Sequence, residues 1–119
     1  MDKGSRRSRR SSCYIPIGHN SKKCINKDIV IKKLKPLLED TSIRKIGQNI
    51  KFDFIILFKH GINITSMEDT MLMSYVLDAG KNRHNMDTLS EIHLDHKTIS
   101  FKDLVGSGKK EINFSEVDI

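Results

Sequence analysis

The sequence predicts an α/β fold, and three features of the chain support this class. Short β-prone runs alternate with longer stretches whose apolar residues recur at helical spacing. Asn or Asp precedes several of these stretches, as helix N-caps do, and Gly61 follows one of them as a helix stop. With 119 residues, 37% of them hydrophobic, the chain is long enough for one domain with a modest core.

The first part of the chain is predicted to contain two strands and one helix. Residues 13–19 are β-prone and alternate, which indicates a short strand, and Pro16 favours an edge or a bulge. Asn26 predicts the start of a helix over residues 27–40. Residues 44–48 are predicted to form the next strand.

The second part is predicted to be mainly helical. Asn49 is placed as the N-cap of the next helix, and residues 62–67 are predicted as a short strand. Asp69 or Thr70 is expected to cap a helix that runs to Leu77. Two further helical segments are predicted, at residues 86–96 and 101–105.

The positive charge is concentrated at the start of the chain. Residues 1–12 carry five basic side chains and one acidic side chain, and they account for most of the net charge of +6. Arg and Ser without apolar residues predict a basic, disordered leader. Such a leader either attracts phosphates or has no dedicated role.

The sequence predicts neither a membrane protein nor a secreted protein. Its longest apolar run, residues 54–58, is too short to span a bilayer, and no apolar segment follows the basic leader as in a secretory signal. Cys13 and Cys24 have the spacing neither of a zinc site nor of a disulfide framework. Two unpaired thiols indicate the cytoplasm.

Asp53 is the single carboxylate of an apolar stretch. It lies between Phe52 and Phe54, and a buried, unpaired carboxylate is costly, so a partner or a metal is expected. On a helix, Asn49 and Asp53 would share one face because four residues make about one turn. The spacing alone leaves two interpretations: a divalent-metal ligand, or a helix-start aspartate satisfied by the helix end or by a lysine.

A family resemblance over about residues 13–117 rests on several ordered motifs. The motifs are YIPIGH, KIGQNIKFD, DTMLMSYVLDAG, HNMDTLSEIHLDHKTISFKDLVGSGK and INF. In this order and spacing, residues 13–119 resemble the 3′–5′ proofreading exonuclease domain of bacterial DNA polymerase I, a family A polymerase. The resemblance implies a ribonuclease-H-like fold of the DEDD exonuclease superfamily, which hydrolyses phosphodiesters at the single-stranded 3′ end of DNA.

The resemblance also implies roles for two residues, Asp53 and Asn49, and a third residue, Lys51, is singled out by its place beside Asp53. Asp53 would be catalytic as a metal ligand, and Asn49 would line the same cleft and meet nucleic acid. Lys51 would neutralise a phosphate, although an exposed helix residue needs no such role. In the family, four acidic residues hold two Mg²⁺ or Mn²⁺ ions, one of which activates the attacking water while the other stabilises the departing 3′ oxygen.

Two further motifs of that family have no counterpart in this chain. One is an Asp-x-Glu strand motif, and Asp2 has no Glu two residues later; the other is a Tyr followed by Asp, and Tyr75 has Ala79 at that spacing. We therefore expect a ribonuclease-H-like fold truncated at both ends, without its first two strands and its C-terminal helix. One aspartate does not hold two cations, so we expect this chain to be inactive alone.

Two functions follow as hypotheses. The first is a fragment of the exonuclease domain, and whether the fragment is itself an enzyme stays undecided. The second is a non-catalytic subunit that binds nucleic acid or has a structural role and complements a separate polymerase chain. Weaker features have ordinary explanations as well as functional ones. His93 and His96 are spaced as two metal ligands but also fit a helix surface, and Lys109 and Lys110 fit either a phosphate contact or a solvated turn.

Overall fold

The computed structural model describes residues 11–20 and 23–117. Within these ranges the helices alternate with two short strands in the first two thirds of the chain. The elements are α1 (Lys27–Glu39), β1 (Lys45–Gly47), α2 (Lys51–Lys59), β2 (Met67–Asp69), α3 (Thr70–Asp78), α4 (Met86–Leu94) and α5 (Phe101–Val105). Two single 3₁₀ turns follow, at Gly108–Lys110 and Phe114–Glu116. The predicted leader lies mostly outside the described residues.

The two strands form a parallel pair, and α2 connects them. Lys45 is opposite Met67, and Gly47 is opposite Asp69. A parallel pair requires a crossover connection, which is usually a helix, so β1, α2 and β2 make a βαβ unit. The predicted α/β class is therefore confirmed.

Local capping explains where the helices begin. The Asn26 side chain accepts hydrogen bonds from the backbone N–H groups of Asp28 and Ile29, at 2.9 and 3.3 Å, as predicted. Asn85 accepts from the N–H of Thr88 at 2.9 Å and starts α4. The helices predicted over residues 27–40, 86–96 and 101–105 are present within two residues of their predicted ends.

Two strand predictions are wrong. Residues 13–19 are irregular, because Pro16 cannot donate to a ladder and its carbonyl instead accepts from the N–H of Ile25 at 2.8 Å. Residues 62–65 contain Ile62 and Ile64, which are buried, but their backbone bonds go to helix ends: the N–H of Ile62 donates to Leu57. The second strand begins only at Met67.

The buried apolar core of the described residues is small. It consists of Val30, Ile62, Ile64 and Val105. Many large apolar side chains are exposed, among them Val76 at 84%, Leu77 at 77% and Ile46 at 68%. Among the described residues, we find no helix with the length and hydropathy that a membrane crossing requires.

Candidate nucleic-acid groove

A groove of about 930 Å³ lies beside the end of β1. Gln48 and Asn49 form one side, the α3 residues Met71 and Tyr75 form a second side, and residues 80–86 close the third. Its lining combines an arginine, a lysine, a histidine, amides and an aromatic ring. Such a surface suits a ligand that carries both phosphates and flat bases.

The Asp69 carboxylate fixes the backbone on one side of this groove. Its Oδ1 accepts from the N–H groups of Asn49 at 3.0 Å and Met71 at 2.9 Å, and its Oδ2 accepts from the N–H of Ile50 at 3.1 Å. The predicted N-cap role in α3 is therefore confirmed, since the Met71 N–H belongs to that helix. The same carboxylate also satisfies two donors ahead of α2, which the sequence pattern did not reveal.

Asn49 has a different role from the one predicted. The N-cap position of α2 is Ile50, and no side chain caps it, because the Asp69 carboxylate already binds the adjacent N–H groups. Asn49 is half-buried and has a φ of 55°, a left-handed conformation that Asn tolerates better than most residues. Asn49 does line the groove.

Asp53 lies in the first turn of α2 and is exposed. No side chain or backbone donor in the described ranges bonds its carboxylate, and it is not among the residues that line the groove. The expectation of a buried carboxylate is therefore wrong. The expected shared helix face with Asn49 is also wrong, because Asn49 precedes the helix and has a left-handed backbone.

Lys51 is exposed at the start of α2. Its Nζ lies 5.7 Å from the ring centroid of Phe52, which is itself 59% exposed. A lysine above an accessible ring is a cation–π pair that leaves the ammonium group in contact with solvent. The pair therefore presents a positive charge and an apolar ring side by side.

The described residues do not fit a two-metal centre. No three His, Cys, Asp or Glu side chains within residues 11–20 and 23–117 are grouped to hold a metal ion. Asp53 supplies one carboxylate, whereas Mg²⁺ and Mn²⁺ require several oxygen ligands. His93 and His96 are both exposed and do not complete such a group.

The loop at residues 80–85 contributes polar groups that the sequence reasoning missed. Arg83 is exposed, and no carboxylate within the described part of the chain pairs with its guanidinium. Lys81 instead donates to Asp78 at 2.7 Å; this hydrogen bond holds the pKa of Asp78 below its usual value and raises the pKa of Lys81. The basic stretch KNR after Gly80 was the available signal.

A polar network ties this loop to the rest of the groove. The Gln48 Nε2 donates to the carbonyl of His84 at 2.7 Å, and Thr70 Oγ1 donates to Gln48 Oε1. The Ser74 hydroxyl and His84 Nδ1 share a hydrogen bond of 2.7 Å, and the ring centroids of His84 and Tyr75 are 3.9 Å apart.

Comparison with known proteins identifies relatives over most of the chain. Residues 6–117 match the model of a family described as 3′–5′ exonuclease. The DNA polymerase I of Rhizobium leguminosarum is 52% identical over 89 residues, which are 75% of this chain and 9% of that protein. The enzyme of Pseudomonas aeruginosa is 39% identical over 114 residues, which are 91% of this chain and 12% of that protein.

A third relative matches a similar share of this chain. The DNA polymerase I of Borreliella burgdorferi is 36% identical over 107 residues, which are 89% of this chain and 11% of that protein. The chain thus spans about a tenth of the length of these curated relatives.

Proposed function

This chain belongs to the 3′–5′ exonuclease family, which is generally metal-dependent, and from that premise we propose that it supplies the strand-holding part of a DNA polymerase I exonuclease domain. The substrate is the single-stranded 3′ end of DNA. We propose residues 13–119 as part of the exonuclease domain and residues 1–12 as a basic leader, and the family match extends into that leader as far as residue 6. The expected location is the cytoplasm.

The groove beside β1 is the observation that carries this proposal. Arg83 offers a guanidinium to phosphate oxygens, and Tyr75 offers a half-exposed ring to a base. Basic side chains with accessible rings are the usual means of holding single-stranded nucleic acid. Lys51 and Phe52 add a second charge–ring pair two residues after Asn49.

Catalysis requires carboxylates beyond Asp53. We propose that Asp53 is one ligand of a Mg²⁺ or Mn²⁺ centre whose other acidic ligands come from further polypeptide, in the same chain or in a separate polymerase chain. The exposed Asp53 carboxylate, which no donor in the described residues bonds, supports this division. On its own, the 119-residue chain has negligible exonuclease activity.

The free surface of the fold supports an incomplete ribonuclease-H-like domain. Ile46 projects from a two-stranded sheet with 68% of its surface exposed, and Val76 and Leu77 are exposed on α3. The exposed α3 residues line one open, mostly apolar groove, and an exposed apolar patch of this kind marks an interaction surface. Additional strands and a helix of the intact domain would cover it.

Binding and cleavage are tested separately on the purified chain. Fluorescence anisotropy with a labelled oligo(dT) should show binding that weakens as salt increases, because phosphate contacts release counterions. Arg83→Ala and Lys51→Ala should each weaken binding about fivefold, as expected for one charged contact of about 1 kcal/mol. Lys33→Ala, an exposed lysine of α1, should leave the affinity unchanged.

The cleavage assay uses the same oligonucleotide with Mg²⁺ or Mn²⁺. We expect no release of nucleotides from its 3′ end. Degradation that persists in Asp53→Ala comes from a site without Asp53 and contradicts its assigned role. Degradation that Asp53→Ala abolishes contradicts the proposed need for further carboxylates. Absence of any salt-dependent binding contradicts the strand-holding role.

A further inference from the structure

We propose that His84 is a positioning residue, which holds the loop at residues 80–85, and with it the Arg83 guanidinium, over the groove. This inference rests on the proposed function, because it concerns how the chain presents a cation to single-stranded DNA. His84 itself does not touch the DNA in this scheme. It acts through the backbone of the loop and through its neighbour.

The burial of His84 sets it apart within the loop. Its exposed fraction is 8%, whereas its two neighbours Arg83 and Asn85 are exposed. The ring inserts beside α3, where Nδ1 shares a hydrogen bond of 2.7 Å with Ser74 Oγ and the ring plane lies at 34° to that of Tyr75. A loop that buries one side chain in this way is anchored at that residue.

The backbone of His84 provides a second anchor. Its carbonyl accepts from Gln48 Nε2 at 2.7 Å, and the Gln48 Oε1 accepts from the Thr70 hydroxyl. Both ends of the Gln48 amide are therefore engaged within the protein. His84 thus connects the loop to the end of β1 through its main chain and to α3 through its side chain.

Arg83 depends on this anchor. Its carbonyl accepts from Asn82 Nδ2 at 2.8 Å, a contact within the loop that does not tie it to another element. The loop begins at Gly80, which has a φ of 78°, and ends at Asn85, the N-cap of α4. Without the His84 anchor, the segment between these points gains conformational freedom, and Arg83 must be ordered again when it binds a phosphate.

A double-mutant cycle on oligo(dT) binding tests this dependence. Arg83→Ala and His84→Ala should each weaken binding about fivefold, and the double variant should bind no worse than Arg83→Ala alone. His84→Ala combined with Lys51→Ala should show the product of the two single effects, because Lys51 lies on α2. His84→Asn should bind oligo(dT) more tightly than His84→Ala, because its side-chain amide can present a nitrogen or an oxygen towards Ser74.

The placement of the loop is measured without DNA by hydrogen exchange. The amides of residues 80–85 should exchange faster in His84→Ala and in the milder Ser74→Ala, which removes only the hydroxyl. His96→Ala and Ser107→Ala are matched controls at exposed positions without a side-chain hydrogen bond in the described structure, and they should leave this exchange unchanged.

The two measurements separate the inference from the proposed function. Independent, multiplying effects of Arg83→Ala and His84→Ala overturn the positioning role, as does unchanged exchange of the loop in both Ser74→Ala and His84→Ala. If the unmodified chain does not bind oligo(dT), the proposed function fails. In that case faster exchange in both variants still supports the anchoring of the loop by His84.

Discussion

Asp69 and Asp53 both stand near the start of a helix, but the protein uses the two carboxylates in different ways. Asp69 accepts hydrogen bonds from three backbone N–H groups that belong to two segments of the chain. Asp53 is exposed, and no donor in the described structure bonds its carboxylate. The first carboxylate is explained by folding. The second makes no bond within the described residues, and in the first turn of α2 it meets only the favourable field of the helix N-terminus.

Replacement of Asp69 should have the largest effect on stability. Asp69→Ala removes the acceptor of three N–H groups at a partly buried junction, so we expect a loss of about 2–3 kcal/mol in the free energy of unfolding. Urea denaturation followed by circular dichroism measures this change. Asp69→Asn keeps one acceptor oxygen and should lose less.

The matched variant at the other carboxylate is Asp53→Ala, whose unfolding free energy should stay within about 0.5 kcal/mol of the original. Equal losses in Asp69→Ala and Asp53→Ala would remove the distinction between the two sites. A large loss in Asp53→Ala alone would assign Asp53 to the fold and would count against its proposed role as a metal ligand.

Asn49 offers a smaller test of the same junction. Its φ of 55° is strained for a residue with a Cβ, while Gly adopts it freely and Asn tolerates it. Asn49→Ala should therefore lose about 1 kcal/mol of stability, whereas Asn49→Gly should stay within about 0.5 kcal/mol. Thermal or urea unfolding distinguishes them, and equal losses in both variants would mean that the side chain rather than the backbone is needed.

Glu39 extends the comparison to pH. Its carboxylate accepts from the N–H of Asn63 at 2.9 Å, and the Lys35 Nζ lies 3.5 Å from its Oε1. The Asn63 bond, and to a smaller extent the Lys35 charge, hold the pKa of Glu39 below its usual value. A pKa lowered in the folded state adds stability above the unfolded pKa, and that stability is lost as the pH falls from the unfolded pKa through the folded one.

The test of this pH dependence is the slope of stability on acidification. Glu39→Gln should reduce the loss of unfolding free energy between about pH 5 and pH 3, because the titrating group is gone. Glu91→Gln changes an exposed carboxylate that makes no bond within the described ranges, and it should leave the slope unchanged. An unchanged slope in Glu39→Gln would contradict the assigned contribution of the Asn63 contact.

The sequence was sufficient where structure depends on neighbours along the chain. The cap at Asn26, the helix from Thr70 and the short helix at residues 101–105 follow from local patterns. The strands were harder, because a strand of three residues is defined by its pairing partner, and residues 62–65 use their backbone bonds elsewhere.

The site was predictable to a similar extent. Asn49 was singled out and does line the groove, although it does so with a left-handed backbone rather than as a helix cap. The hydrogen bonds from the Asn49 N–H to Asp69 and from the Gln48 amide to His84 join segments that are distant in the sequence. No local pattern encodes such contacts, so the placement of the loop around Arg83 depends on the fold, although the KNR stretch indicates its charge.

The ion pair between Arg44 and Glu68 should have the smallest effect. Glu68 immediately precedes Asp69, but its carboxylate meets an exposed guanidinium, with Arg44 Nε 3.6 Å from Glu68 Oε1 and exposed side-chain fractions of 72% and 36%. Solvent screens such a pair, so a double-mutant cycle with Arg44→Ala and Glu68→Ala should give a coupling energy below about 0.5 kcal/mol. Urea unfolding of the four proteins measures it. A coupling energy as large as the loss in Asp69→Ala would contradict this comparison. It would show that a carboxylate contributes as much to stability when its partner is a surface cation as when its partners are backbone N–H groups.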